Sequence, residues 1–83
     1  MTRKFRVVSG EEISRFLTIN GFTSISARGS HAKFQRKSRD GMHETLHLPL
    51  HKEISKGTAR AILKQAEQYI SSEILLEFFM TKE

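Results

Sequence analysis

The sequence has no cysteine, so disulfides and thiolate metal sites are excluded outright. Long apolar runs are missing as well, and nothing approaches the roughly 18–20 residues that span a bilayer. A charged start (Arg3, Lys4 and Arg6) is followed by Val7-Val8-Ser9-Gly10 rather than by the apolar core of a secretory leader. Acidic residues are scarce: 9 Asp+Glu stand against 14 Lys+Arg, a formal net charge of +5. The 83 residues, 37% hydrophobic and 28% charged, suffice for one small domain with a modest core and leave no room for a second. The expectation is a soluble, cytoplasmic, basic domain spanning 1–83, with its core at about 8–79.

The positive charge is concentrated. Arg28, Lys33, Arg36, Lys37 and Arg39 occupy one short stretch with no acid among them, and they equal the whole surplus. Such a segment suits a polyanion, because phosphate contacts gain from counterion release. The plainer alternative is a solvated basic strand that only aids solubility.

Ser9-Gly10-Glu11-Glu12 has the form of a capping box, with Val8 placed to staple onto Ile13. Ile13, Phe16 and Leu17 recur at helical spacing and Gly21 suits a helix end, which predicts a first helix over 10–20. From Phe22 to Pro49 the period becomes two. Ile25 and Ala27, then Ala32 and Phe34, then Leu46 and Leu48 alternate with polar residues. Gly29-Ser30 reads as a type II′ turn and Asp40-Gly41 as a second turn, predicting strands at 22–28, 31–37 and 42–48. Thr58 is the expected N-cap of a second helix whose stripe is Ala59, Ile62, Leu63, Ala66, Tyr69 and Ile70. Its outward residues are Arg60, Lys64, Gln65 and Gln68, and Ile74 to Phe79 predict a short third helix.

The result is an α+β fold of order α-β-β-β-α with an extra helix, both main helices on one face of a three-stranded antiparallel sheet. The other face would carry Ser24, Ser26, Arg28, His31, Lys33, Gln35, Lys37, His43, Thr45 and His47. Basic, hydroxyl and imidazole groups of this kind suit an RNA backbone better than another apolar layer.

Two patterns compete for the histidines. His43-Glu44-Thr45-Leu46-His47 spells H-E-x-x-H, which binds zinc when both histidines share a helical face. Here a turn precedes it, Pro49 follows it, and on a strand residues 43 and 47 stand about 13 Å apart. The match is accidental, and no metal site is expected. The second pattern is Arg28-Gly29-Ser30-His31, which opens a strand with an imidazole between Arg28 and Lys33. Imidazoles exchange protons near neutral pH. Spacing alone leaves general acid–base chemistry and a plain phosphate contact equally open.

Ser9-Gly10, Asn20-Gly21-Phe22, the Gly29-Ser30-His31 turn, Pro49-Leu50-His51 and the helix from Gly57 to Ala66 resemble the HicA toxins. The resemblance runs from about residue 8 to 79. It implies a double-stranded-RNA-binding-domain-like fold and a metal-independent endoribonuclease that cuts messenger RNA and needs no cofactor. It also implies a HicB-type antitoxin as protein partner, and the family's catalytic histidine falls on His31. His51 matches a family position too, where a structural hydrogen bond to the backbone is the expected role. The basic N-terminus and the tail after Phe79 depart from the shortest members.

In that mechanism His31 would activate the RNA 2′-hydroxyl, while Arg28 and Lys33 steady the developing charge. Ser30 would hold the imidazole or a phosphate oxygen, Gly29 would let the backbone approach, and Lys37 would extend the RNA contact. The alternatives are a non-catalytic RNA-binding module of the same fold and a protein-binding adaptor.

Overall fold

The first helix, α1 (Gly10–Ile19), starts on the expected capping box. The Glu12 N–H donates to the Ser9 hydroxyl and the Ser9 N–H donates to the Glu12 carboxylate, both at 3.0 Å. That second bond, helped by Arg6 at 3.4 Å, holds the Glu12 carboxyl below its ordinary range despite some desolvation. The helix ends in a Schellman turn: Phe22 N–H reaches the Leu17 carbonyl, Gly21 N–H reaches that of Thr18, and Gly21 has φ +91°. Leu17 and Phe22 thereby enter the core together. The structure, a computed structural model, describes residues 4–81, so Arg3 of the basic start lies outside the described residues.

Strands β1 (Thr23–Arg28), β2 (His31–Lys37) and β3 (His43–Pro49) form one antiparallel sheet in that order. Gly29 has φ +60° while Ser30 keeps a negative φ, the signature of the expected type II′ turn. Helices α2 (Lys56–Ala66) and α3 (Ser72–Phe79) complete the α+β order α-β-β-β-α-α. Ile13 and Leu17 of α1, Ala59, Ile62 and Ala66 of α2, and Leu75 and Phe79 of α3 share one buried cluster with Ala32, Phe34, Leu46 and Leu48 of the sheet. Among the described residues, no helix is long and apolar enough to cross a membrane.

Three local expectations are corrected. Helix α2 is capped by Ser55 rather than Thr58. The Ser55 hydroxyl accepts the Thr58 N–H at 3.2 Å, so Thr58 sits inside the first turn. Gln65, expected to look outward, instead clasps the free edge of β3. His47 N–H donates to Gln65 Oε1 at 2.9 Å, and Gln65 Nε2 donates to the His47 carbonyl at 3.4 Å. An amide side chain there stands in for a missing fourth strand. Finally, every residue of β1 is exposed, including Ile25 and Ala27, which the alternation assigns to the apolar side. No residue of β1 is buried, whereas β2 buries Ala32 and Phe34 and β3 buries Leu46 and Leu48 in the shared core, and a bulge between Ser24 and Ser26 turns Ile25 out to 48% exposure.

The two ends of the described chain meet each other. Phe5 and Met80 form an antiparallel bridge, with Arg6 N–H on the Phe79 carbonyl at 2.9 Å and Thr81 N–H on that of Lys4 at 2.7 Å.

Candidate nucleic-acid interface

Residues directly opposite in an antiparallel sheet share a face. The register therefore lays out the face away from the helices in rows: Arg28, His31 and Pro49; Ser26, Lys33 and His47; Thr23, Gln35 and Thr45; then Lys37 and His43. All the expected occupants are there except Ser24. The bulge pairs Ser24 with Phe34 on the helix side and brings Thr23 onto the open face instead. No sequence signal marks that bulge, because Ser24-Ile25-Ser26 alternates perfectly.

The basic run divides between the two faces. Arg28, Lys33 and Lys37 stand on the open side, whereas Arg36 points toward the helices. Its Nε donates to Glu44 Oε1 at 2.7 Å, Nη1 to the Asn20 carbonyl and Nη2 to the Tyr69 carbonyl, both at 2.8 Å. The guanidinium also lies 4.6 Å above the centre of the Phe22 ring. A fork so fully engaged has little left for a phosphate. Arg36 is an internal brace, and the RNA-facing charge is smaller than the run suggests.

His31 opens β2 with its side chain exposed. The Ser30 hydroxyl lies 3.5 Å from its Nδ1, which leaves Nε2 for a substrate. The turn beneath it is anchored twice over. The Ser30 carbonyl accepts the Leu50 N–H, and the Gly10 N–H donates to the His51 carbonyl at 2.7 Å. Gly10 has no room for a side chain: a Cβ would stand 2.8 Å from Leu50 Cα and from the Pro49 carbonyl oxygen. The start of α1, the exit of β3 and the His31 turn therefore form one braced corner. At His51 the main chain makes the structural bond expected of the side chain, and the imidazole is exposed. His51 and Lys52 line a shallow depression of about 330 Å³ with Ser9, Glu11 and Leu50.

The H-E-x-x-H stretch is split by strand geometry. His43 and His47 face the open side, while Glu44 faces the helices and pairs with Arg36. The register also brings together two groups that sequence reading left apart. Lys33 opposes His47, so His47 is the diagonal neighbour of His31, about 7–8 Å away between backbones. Pairing the second hairpin about its Asp40-Gly41 turn is the signal that could have found it. At the opposite end of the sheet Gly21, Thr23, Ile25, Gln35, Arg36, Lys37 and His43 line a second open hollow of about 300 Å³.

A family model describing the HicA toxin of bacterial toxin–antitoxin systems matches residues 10–68. The matched segment runs from the first residue of α1 to just beyond α2 and includes every row of the open face. No curated protein matches the chain.

Proposed function

The chain belongs to the HicA toxin family of bacterial toxin–antitoxin systems, and from that premise we propose that it is a metal-independent endoribonuclease acting on messenger RNA. The reading takes the whole chain as one such domain and a HicB-type antitoxin as its restraining partner. The observation that carries it is the exposed His31 at a braced turn, flanked on the same sheet face by Arg28 and Lys33.

In the proposed reaction His31 Nε2 takes the proton from an RNA 2′-hydroxyl as that oxygen attacks the adjacent phosphorus. The bond from phosphorus to the 5′ oxygen breaks, leaving a 2′,3′-cyclic phosphate and a 5′-hydroxyl. Arg28 and Lys33 hold the phosphate oxygens as charge builds. Ser30 fixes the ring through Nδ1, and Gly29 keeps the turn free of a side chain. For the proton returned to the departing oxygen the reading takes His47, the diagonal neighbour of His31 on this face. A general acid or base of this kind contributes about 10²–10⁴-fold.

The test is RNA cleavage by the purified protein in EDTA, alongside growth inhibition in cells. Wild type should cleave under both conditions. His31→Ala should lose about 10²–10⁴-fold in rate and all toxicity while still binding RNA and antitoxin. As an exposed surface change it should shift stability by no more than about 0.5 kcal/mol. Cleavage that needs added divalent metal, or a His31→Ala protein that remains toxic, overturns the mechanism. RNA binding without cleavage under any condition leaves the non-catalytic module.

A further inference from the structure

The hollow at the far end of the sheet has a definite origin. Strand β1 begins at Thr23, opposite Gln35, but β2 runs on for two more residues, which pair only with β3. The missing corner of β1 leaves a notch of about 300 Å³, large enough for a nucleobase. Its walls have mixed chemistry. Lys37 and His43 are direct partners across the strands and both are exposed. Lys37 makes no ion pair among the described residues, in contrast to Arg36 behind it. Gln35 Nε2 donates to Thr45 Oγ1 at 3.3 Å, so its Oε1 is not used in that bond, and Gln35 and Thr23 both line the notch. Opposite these polar groups stands Ile25, turned out by the bulge and half exposed. Bulges commonly re-aim one side chain beside a functional site.

From these observations we infer that the notch is a nucleotide subsite for the RNA strand that His31 cleaves. Lys37 takes a backbone phosphate, the His43 ring and Ile25 sandwich a base, and Gln35 Oε1 and the Thr23 hydroxyl meet its polar edge. Imidazole is among the rings on which unpaired bases stack. This assignment rests on the RNA-cleaving reading above and adds a geometric demand to it. Lys37 stands six positions beyond His31 on β2, about 20 Å at strand rise. A stacked single strand covers that span in about six nucleotides at about 3.4 Å each. The subsite would therefore grip RNA several nucleotides away from the broken bond, and short RNAs could not occupy both ends.

Binding is measured by fluorescence anisotropy on the full chain carrying His31→Ala, so that the RNA stays intact. The probes are randomised single-stranded RNAs of about three and about twelve nucleotides. Adding Lys37→Ala and His43→Ala together should weaken binding of the longer RNA by at least about fivefold, the low end for losing one stacked base. The shorter RNA should bind as before, and Lys64→Ala on the outward side of α2 should change neither. Ile25→Ser, which keeps all the charge, should reproduce part of the loss. Equal losses on both lengths, or no loss, overturn the subsite while leaving the cleavage reading intact. Loss of antitoxin binding with RNA binding unchanged assigns the notch to a protein partner and also overturns it. A parent protein that binds neither RNA overturns the endoribonuclease reading itself, and the subsite with it.

Discussion

Replacing Arg36 by alanine separates a structural cation from the RNA-facing ones beside it. The side chains of Arg36 and Glu44 are 25% and 17% exposed, so the pair is largely but not wholly withdrawn from water. Breaking a fully buried pair by removing one partner costs about 3–5 kcal/mol, because the remaining charge is stranded. The residual exposure of Glu44 argues for the lower end. The carbonyls of Asn20 and Tyr69 also lose donors, but they belong to the same network and their costs do not simply add. The expected loss is about 3 kcal/mol, a large share of the roughly 4–12 kcal/mol typical of a domain this size. In a thermal melt that corresponds to a fall of about 12–24 °C. Glu44→Gln keeps an acceptor for Arg36 Nε and should cost about 1 kcal/mol. RNA affinity, measured well below the melting transition, should be nearly unchanged for the folded Arg36→Ala protein. A drop in Tm below about 4 °C combined with a large loss of RNA affinity would refute the internal placement of Arg36.

Gly10→Ala should destabilise by about 1–3 kcal/mol despite the better helix propensity of alanine, because its Cβ meets backbone atoms at 2.8 Å. Moving Leu50 also loosens its bond to the Ser30 carbonyl, so RNA cleavage at a temperature where the variant is fully folded should fall. Unchanged Tm and unchanged rate would show that the corner is not braced through Gly10. Glu12 carries a pH dependence of known sign. Its carboxyl is held below the ordinary range in the folded protein, so its stabilisation is present above about pH 4.3 and lost as pH falls through the lowered value. The stability gap between wild type and Glu12→Gln should thus be constant near neutrality and close in acid, read from urea melts across pH; a gap that widens in acid has the wrong sign.

Much of the fold was legible because its determinants are satisfied within a few residues. The Ser9–Glu12 box closes over three positions, Gly21 and Gly29 supply positive φ where the chain must turn, and alternation through β2 and β3 reports which side is dry. The candidate site was legible for the same reason. Gly29-Ser30 joins adjacent strands, so the position of His31 beside Arg28 follows from the turn. The failures in β1 and at Gln65 have a different cause, whereas the α2 cap was misplaced by one turn of helix. Alternation in β1 predicted a buried face, yet burial depends on what packs over a strand, and no residue of β1 is buried while β2 and β3 each bury two apolar side chains.

The sequence by itself determined the order of elements, the capping box of α1, the hairpin turns and the face on which His31 stands beside Arg28, since short-range hydrogen bonds and a period of two decide these. Only the tertiary structure decided which cations remain free. Arg36 finds its partners 16 and 33 residues away, at Asn20 and Tyr69, and Gln65 reaches 18 residues back to the edge of β3. Contacts of that kind depend on how α1, α2 and the segment after α2 dock on the sheet, which no local pattern records. The same docking leaves β1 bare, lets the bulge turn Ile25 outward, and opens the notch beside Lys37 and His43.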